Sequence, residues 1–181
     1  MKLFTSLFIV CLLLTLSFGV VVEAATEGTV TATVTAQNVA VSVTDGTIAY
    51  GTMVLNTTVN TALFVGDDAL SDTQTATNDG NVSADLDIKG INTVGDTPWT
   101  LDSTNETLDH YVHEFCNEAE SGCDVANTEL VWTLLSTEYQ QLTTGLAAGG
   151  TQDFDTQITT PTSSTDFTSK SVNVLVQISA A

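Results

Sequence analysis

Between residues 76 and 89 the chain passes from a turn into strict alternation. After Asn78, Asp79 and Gly80, the apolar Val82, Ala84, Leu86 and Ile88 fall on one face, and Ser83, Asp85, Asp87 and Lys89 on the other. A side-chain period of two is that of a β-strand with one face buried. The period recurs along the chain. Over residues 28–36, Val30, Ala32, Val34 and Ala36 alternate with threonines, and Val39, Val41 and Val43 then alternate up to Asp45-Gly46. That dipeptide predicts a tight hairpin with Ile48-Ala49-Tyr50-Gly51 as the return strand. Residues 57–71, apolar at Leu63, Phe64 and Val65, read as a loop with one short strand, and residues 72–77 as a lead into the turn.

Further strands are predicted at Trp99-Thr100-Leu101, after Pro98, and over residues 110–116, which are aromatic and β-branched. Residues 129–135 place Leu130, Trp132 and Leu134 on one face, with a helix through Tyr139 as the alternative. Residues 142–150 read as a turn region of small residues. A strand over 152–158 points Phe154 and Ile158 inward and ends at Pro161, and the last one lines Val172, Val174, Val176 and Ile178 along one face. About eight to ten strands at spacings of roughly ten residues, with no longer repeat, predict an all-β antiparallel sandwich, Ig-like or jelly roll.

The start of the chain has a different pattern. Met1-Lys2 precedes an apolar run over residues 3–22 and then Val22-Glu23-Ala24, the small-residue pattern of a signal-peptidase site. The expectation is a signal helix over residues 1–24, cleaved after Ala24 or next at Ala25, followed by one sandwich domain over 25–181. A retained anchor is the alternative, since about 20 apolar residues can span a bilayer. Cys11 lacks the flanking residues of a lipidated cysteine.

Charge narrows the range of partners. The 181 residues carry 22 acidic against 3 basic side chains, a net charge of −19. Without residues 1–24 the basic ones are Lys89 and Lys170. Phosphate contacts need Lys or Arg, which excludes nucleic acid and electrostatic adhesion to anionic lipid. The acids are dispersed, as on a solvated, self-repelling surface. Adaptation to high salt and readiness for divalent cations are the sharper readings.

Two short motifs carry a resemblance. Asn78-Asp79-Gly80 before a strand, and Gly149-Gly150 leading through residues 151–160 into Pro161, look like the Ig-like modules of prokaryotic surface proteins. With the leader and the single sandwich, the arrangement is similar to TasA/camelysin-type fibre proteins and archaeal bundling pilins, and more loosely to WxL cell-wall proteins. The resemblance implies a surface protein that associates with itself or with other surface proteins.

Candidate chemistry is sparse. Cys116 and Cys123 remain after cleavage and are expected to form a disulfide in an exported chain. A zinc site with His110 and His113 is disfavoured, because residues three apart on a strand face opposite ways. Asp67, Asp68 and Asp72 surround a Gly turn and are weak calcium candidates, with Asp79, Asp85 and Asp87 near the second turn. No cofactor is otherwise expected. No nucleophile elbow, phosphate loop or zinc-protease motif occurs, so the chain is not expected to be an enzyme. Asn56, Asn81 and Asn105 begin Asn-x-Ser/Thr triplets, the glycosylation acceptor pattern.

The leading expectation is a non-enzymatic structural subunit of a cell-surface fibre or layer. Its uncharged segment 28–36, through Val30, Ala32, Val34 and Ala36, would serve as a donor strand to the sheet edge of a neighbour. The alternative is an adhesin binding cell-wall glycan through Trp99, Trp132 and Tyr111.

Overall fold

The structure, a computed structural model, describes residues 31–62, 72–117 and 131–181. The chain divides into two units, Met1–Thr35 and Ala36–Ala181. In the first, residues 31–35 are exposed and belong to no ladder; the leader lies outside the described residues. In the second, ten strands form among the described residues: β1 (Val41–Thr44), β2 (Thr58–Asn60), β3 (Gln74–Asn78), β4 (Ala84–Gly90), β5 (Thr100–Leu101), β6 (His110–Asn117), β7 (Thr133–Leu134), β8 (Gln140–Leu146), β9 (Thr151–Thr159) and β10 (Val174–Ala180).

Two sheets result. The larger follows the order β1-β3-β9-β6-β5, with β2 also paired to β9 and β7 to β6; the smaller is β10-β4-β8. The alternation at Ala84, Leu86 and Ile88 lies on β4, in the middle of the small sheet, and all three side chains are fully buried. Leu86 and Ile88 pack with Leu142 of the small sheet and with Ala76, Phe115 and Phe154 from the inner face of the large one. A core drawn from both sheets makes the unit the expected all-β sandwich. The ladders are antiparallel except β5–β6, which is parallel (Thr100↔His110, Leu101↔Tyr111).

Several local expectations are corrected. Asp45 and Gly46 have the positive φ values (67° and 62°) of a hairpin turn, yet residues 48–51 form no strand. β1 pairs instead with β3: the Gly46 N–H donates to the Gln74 side chain, and the Tyr50 hydroxyl reaches Thr156 on β9. The lead-in over residues 72–77 proves to be β3, an interior strand of the large sheet. Its inward side chains are Gln74, Ala76 and Asn78, too polar to register as an apolar face. Residues 142–146, read as part of a turn, belong to β8. Only Leu142 is buried there, and register shifts against β4 break the period. β7 is confined to Thr133–Leu134, and Glu129 and Leu130 lie outside the described residues, as do Leu63, Phe64 and Val65.

One buried side chain ties the two sheets together at their ends. Asn78 Nδ2, on β3, donates to the carbonyls of Val82 (2.9 Å), Leu146 (2.9 Å) and Ala147 (3.2 Å), while Oδ1 accepts from the Gly80 N–H (3.0 Å). Its backbone exchanges hydrogen bonds with Gly149 and Gly150. The Asn-x-Gly and Gly-Gly turns, distant in sequence, therefore meet. Gly80 must be glycine here, because a Cβ would stand 2.4 Å from the Asn38 carbonyl oxygen. Leu86→Ala is expected to cost about 2–5 kcal/mol. Asn78→Ala, which removes the shared donor of three part-buried carbonyls, is expected to cost about 1–3 kcal/mol. Urea unfolding midpoints at unchanged m-value check both.

Candidate functional site

Along β9 the inward side chains are Gln152, Phe154, Thr156 and Ile158, and beyond the strand Thr160 is buried as well. Beside them β6 turns Tyr111, His113 and Phe115 to the same face, by the register Phe115↔Thr156 and His113↔Ile158. The small sheet does not reach across all of this surface. Three strands span roughly 10 Å, against roughly 19 Å for the five-strand path of the large sheet. The uncovered part is roofed by residues 46–55 and 167–173, which leave a cleft of about 990 Å3 bounded on one side by Val174 and Val176 of β10.

A polar cluster sits in the cleft wall. The Tyr50 hydroxyl lies 2.6 Å from Thr156 Oγ1 and 3.2 Å from His113 Nε2. The two rings meet edge to face, with centroids 6.1 Å apart at 75°. His113 is 2% exposed, and its Nδ1 has no hydrogen-bond partner among the described residues. Burial pushes the imidazole down to about 4, so the ring is neutral near pH 7. Burial also raises the Tyr50 phenol well above its ordinary range, opposed by the Thr156 hydrogen bond and reinforced by the nearby Asp72 and Asp155 charges. The cluster therefore offers uncharged donors and acceptors. An imidazole of pKa about 4 is too weak a base to hold a proton at neutral pH.

The roof is held by Asp109, whose backbone lies in the left-handed region (φ 58°). Its carboxylate accepts from Ser164 Oγ (2.6 Å), the Thr165 N–H (3.0 Å) and Thr165 Oγ1 (2.6 Å). The Ser164 bond first, and then those from Thr165, hold this carboxyl below the usual range. Trp99 Nε1 donates to the same Ser164 oxygen (3.0 Å). Asp166 pairs with Lys170 four residues on.

No family model, curated protein or solved structure matches the chain. Its chemistry is read from the residues alone.

The residues singled out from sequence are widely dispersed. Cys116 is buried at the end of β6; Cys123 lies outside the described residues, as do Asp67 and Asp68. Asp72 is half-buried and accepts from Gln74 Nε2. Among the described residues no group of three or more His, Cys, Asp or Glu is placed to hold a metal. His110 Nδ1 meets Asp102 (2.7 Å), away from the His113 cluster. Tyr111 is fully buried and donates its hydroxyl to the Ile91 carbonyl, which removes it from any surface platform with Trp99 and Trp132.

Of the triplet asparagines, Asn56 is exposed and accepts from Asn105 Nδ2, which also donates to the Thr160 carbonyl. Asn81 uses its whole amide as a strand would: Oδ1 accepts from the Asn38 N–H (2.8 Å) and Nδ2 donates to the Ala36 carbonyl (2.9 Å). Val30 lies outside the described residues; Ala32, Val34 and Ala36 are exposed, Val34 at 95%. Tyr50, Thr156 and Asp109 were not singled out from sequence. Alternation with Phe154 marks Thr156 as inward, but no local pattern marks Tyr50 or Asp109.

His113 makes stability depend on pH. The unfolded imidazole gains a proton below about 6.5, whereas the folded one resists until about 4. Stability is therefore lost as pH falls through that window. Between pH 7.5 and 5 the loss from this group is expected to be about 2 kcal/mol. His113→Gln should remove that share of the loss, read as the difference between the two proteins' urea midpoints at each pH.

Proposed function

We propose that the chain is an exported, non-enzymatic structural subunit of a cell-surface fibre or layer. Copies associate through sheet edges, the segment 28–36 of one adding to the outer edge of β10 in the next. In this reading residues 1–24 are a cleaved leader and Cys116 and Cys123 form a disulfide.

One observation carries the reading. Every charged strand residue among the described residues lies on β4, β6 or β9, strands with neighbours on both sides. The strands that end the two sheet orders are β1 (VSVT), β5 (TL), β8 (QQLTTGL) and β10 (VLVQISA), and they hold neither charge nor proline. Soluble monomers guard such edges with lysine, proline or inward charge. In a chain of net charge −19, uncharged edges are where two copies approach at least electrostatic cost. The segment 28–36, of threonines, valines, alanines and one glycine, is likewise without charge or proline, and its described residues 31–36 take part in no ladder of their own chain. The likeness of the Asn78-Asp79-Gly80 and Gly149–Pro161 motifs to the Ig-like modules of prokaryotic surface proteins points the same way.

Deleting residues 28–36, or introducing Leu175→Lys with Gln177→Lys on β10, is expected to abolish filaments or sheets seen by electron microscopy while thermal unfolding is retained. Added salt, which screens the net charge over about 10 Å at 0.1 M, is expected to speed assembly of the unaltered chain. Monodisperse globules under all these conditions, or assembly indifferent to both changes, would refute the proposal.

A further inference from the structure

The cleft has an unusual composition for this protein. The chain carries 22 acidic residues, yet no Asp or Glu lines the cleft among the described residues. Its one charged lining residue, Lys170, is paired with Asp166. The remaining polar groups are hydroxyls, amides and the neutral imidazole of His113, and they are interleaved with aliphatic and aromatic side chains. The volume, about 990 Å3, lies at the upper end of the range for small-molecule sites, which combine an apolar lining with a few convergent polar groups.

We propose that this cleft binds a small uncharged amphiphile. Its hydrocarbon body lies against Phe154, Ile158, Val174 and Val176, and a hydroxyl or carbonyl group joins the Tyr50–Thr156 hydrogen bond. Each alternative ligand meets a specific cost. An anion enters a molecule of net charge −19 and finds no unpaired cation in the lining. A cation loses water without gaining a carboxylate. A sugar ring sets hydroxyls against the valine and isoleucine walls, where they have no partners. A pure hydrocarbon covers the Tyr50 hydroxyl and shuts it off from water. Tyr50 is the pivot because its single hydroxyl already serves two partners, Thr156 and His113, and one further group completes its bonding capacity. The cleft borders β10, the strand whose outer edge the assembly reading also uses, and ligand binding is read apart from assembly.

The chain has two tryptophans, and Trp99 lines the cleft while Trp132 does not. In the full chain with Trp132→Phe, Trp99 emission reports occupancy directly. Titrated 1-octanol is expected to change that emission saturably, whereas octanoate, octylammonium and methyl glucoside bind at least about tenfold more weakly, a difference of about 1.4 kcal/mol. Ala49→Trp, at an exposed lining position, is read by octanol calorimetry and is expected to weaken binding by a similar factor. Tyr50→Phe is expected to narrow the gap between octanol and octane. Should Ala49→Trp not fold, as judged by circular dichroism, Thr52→Trp at the same mouth replaces it. No saturable response to octanol, equal binding of octanoate, preference for the glucoside, or affinity unchanged by the blocking substitution would each overturn the proposal.

Discussion

The organising constraint is a mismatch of width. The large sheet presents an inner face that the three strands β10, β4 and β8 cannot cover. Where the sheets do overlap, Leu86, Ile88 and Leu142 close against Ala76, Phe115 and Phe154, and that part of the molecule is an ordinary apolar core. Beyond β10 no strand lies among the described residues, and loops do the covering. Loops carry unpaired backbone groups and turn residues, and they cannot interdigitate as a pleated sheet does. The inner face beneath them is correspondingly polar, with His113 and Thr156 where a fully covered sandwich would place valine or leucine. The cleft follows from this arrangement.

Holding two unequal sheets in register needs more than apolar contact, which is non-directional. Asn78 supplies direction at one end, where a single amide serves carbonyls from the start of the small sheet and from the turn that follows β8. Asp109 does the equivalent for the loop over the cleft, gathering Ser164 and Thr165 so that the segment before β10 has a fixed path. Asn81 completes the set by acting as a substitute strand for residues 36 and 38. In each case a short polar side chain at a turn satisfies backbone or hydroxyl groups that a ladder does not reach. This is how a chain rich in Thr, Asn and Asp builds a sandwich with little helix-forming material.

The distribution of charge links fold to function. With 22 acidic residues, the surface as a whole repels its own kind, yet among the described residues the acids avoid both the end strands and the cleft. Carboxylates on β4, β6 and β9 sit between neighbours, on faces rather than rims. Two kinds of surface are left uncharged: extended edges suited to another strand, and a concavity suited to a small neutral molecule. The first supports a structural role, the second a binding one, and the two border each other along β10.

By itself the sequence determined the class of fold and its central strands. The alternation at Val82 to Ile88, around Phe154 and Ile158, and at Val174 to Ile178 reports burial on one face, because a strand's side chains alternate regardless of what covers them. Residues 110–116 were legible instead through their aromatic and β-branched content. Where pairing rather than burial defines a strand, the pattern was silent: β3 buries Gln74 and Asn78, and β8 is bulged, so neither shows an apolar stripe. The Asp45-Gly46 turn was legible, but its partner strand was not, since which strand completes a ladder depends on competing edges far away in the chain. The cleft was least legible of all. Tyr50, His113 and Thr156 come from three segments with no common motif, and they meet only because one sheet is narrower than the other, a property of strand number and order that no local stretch of residues encodes.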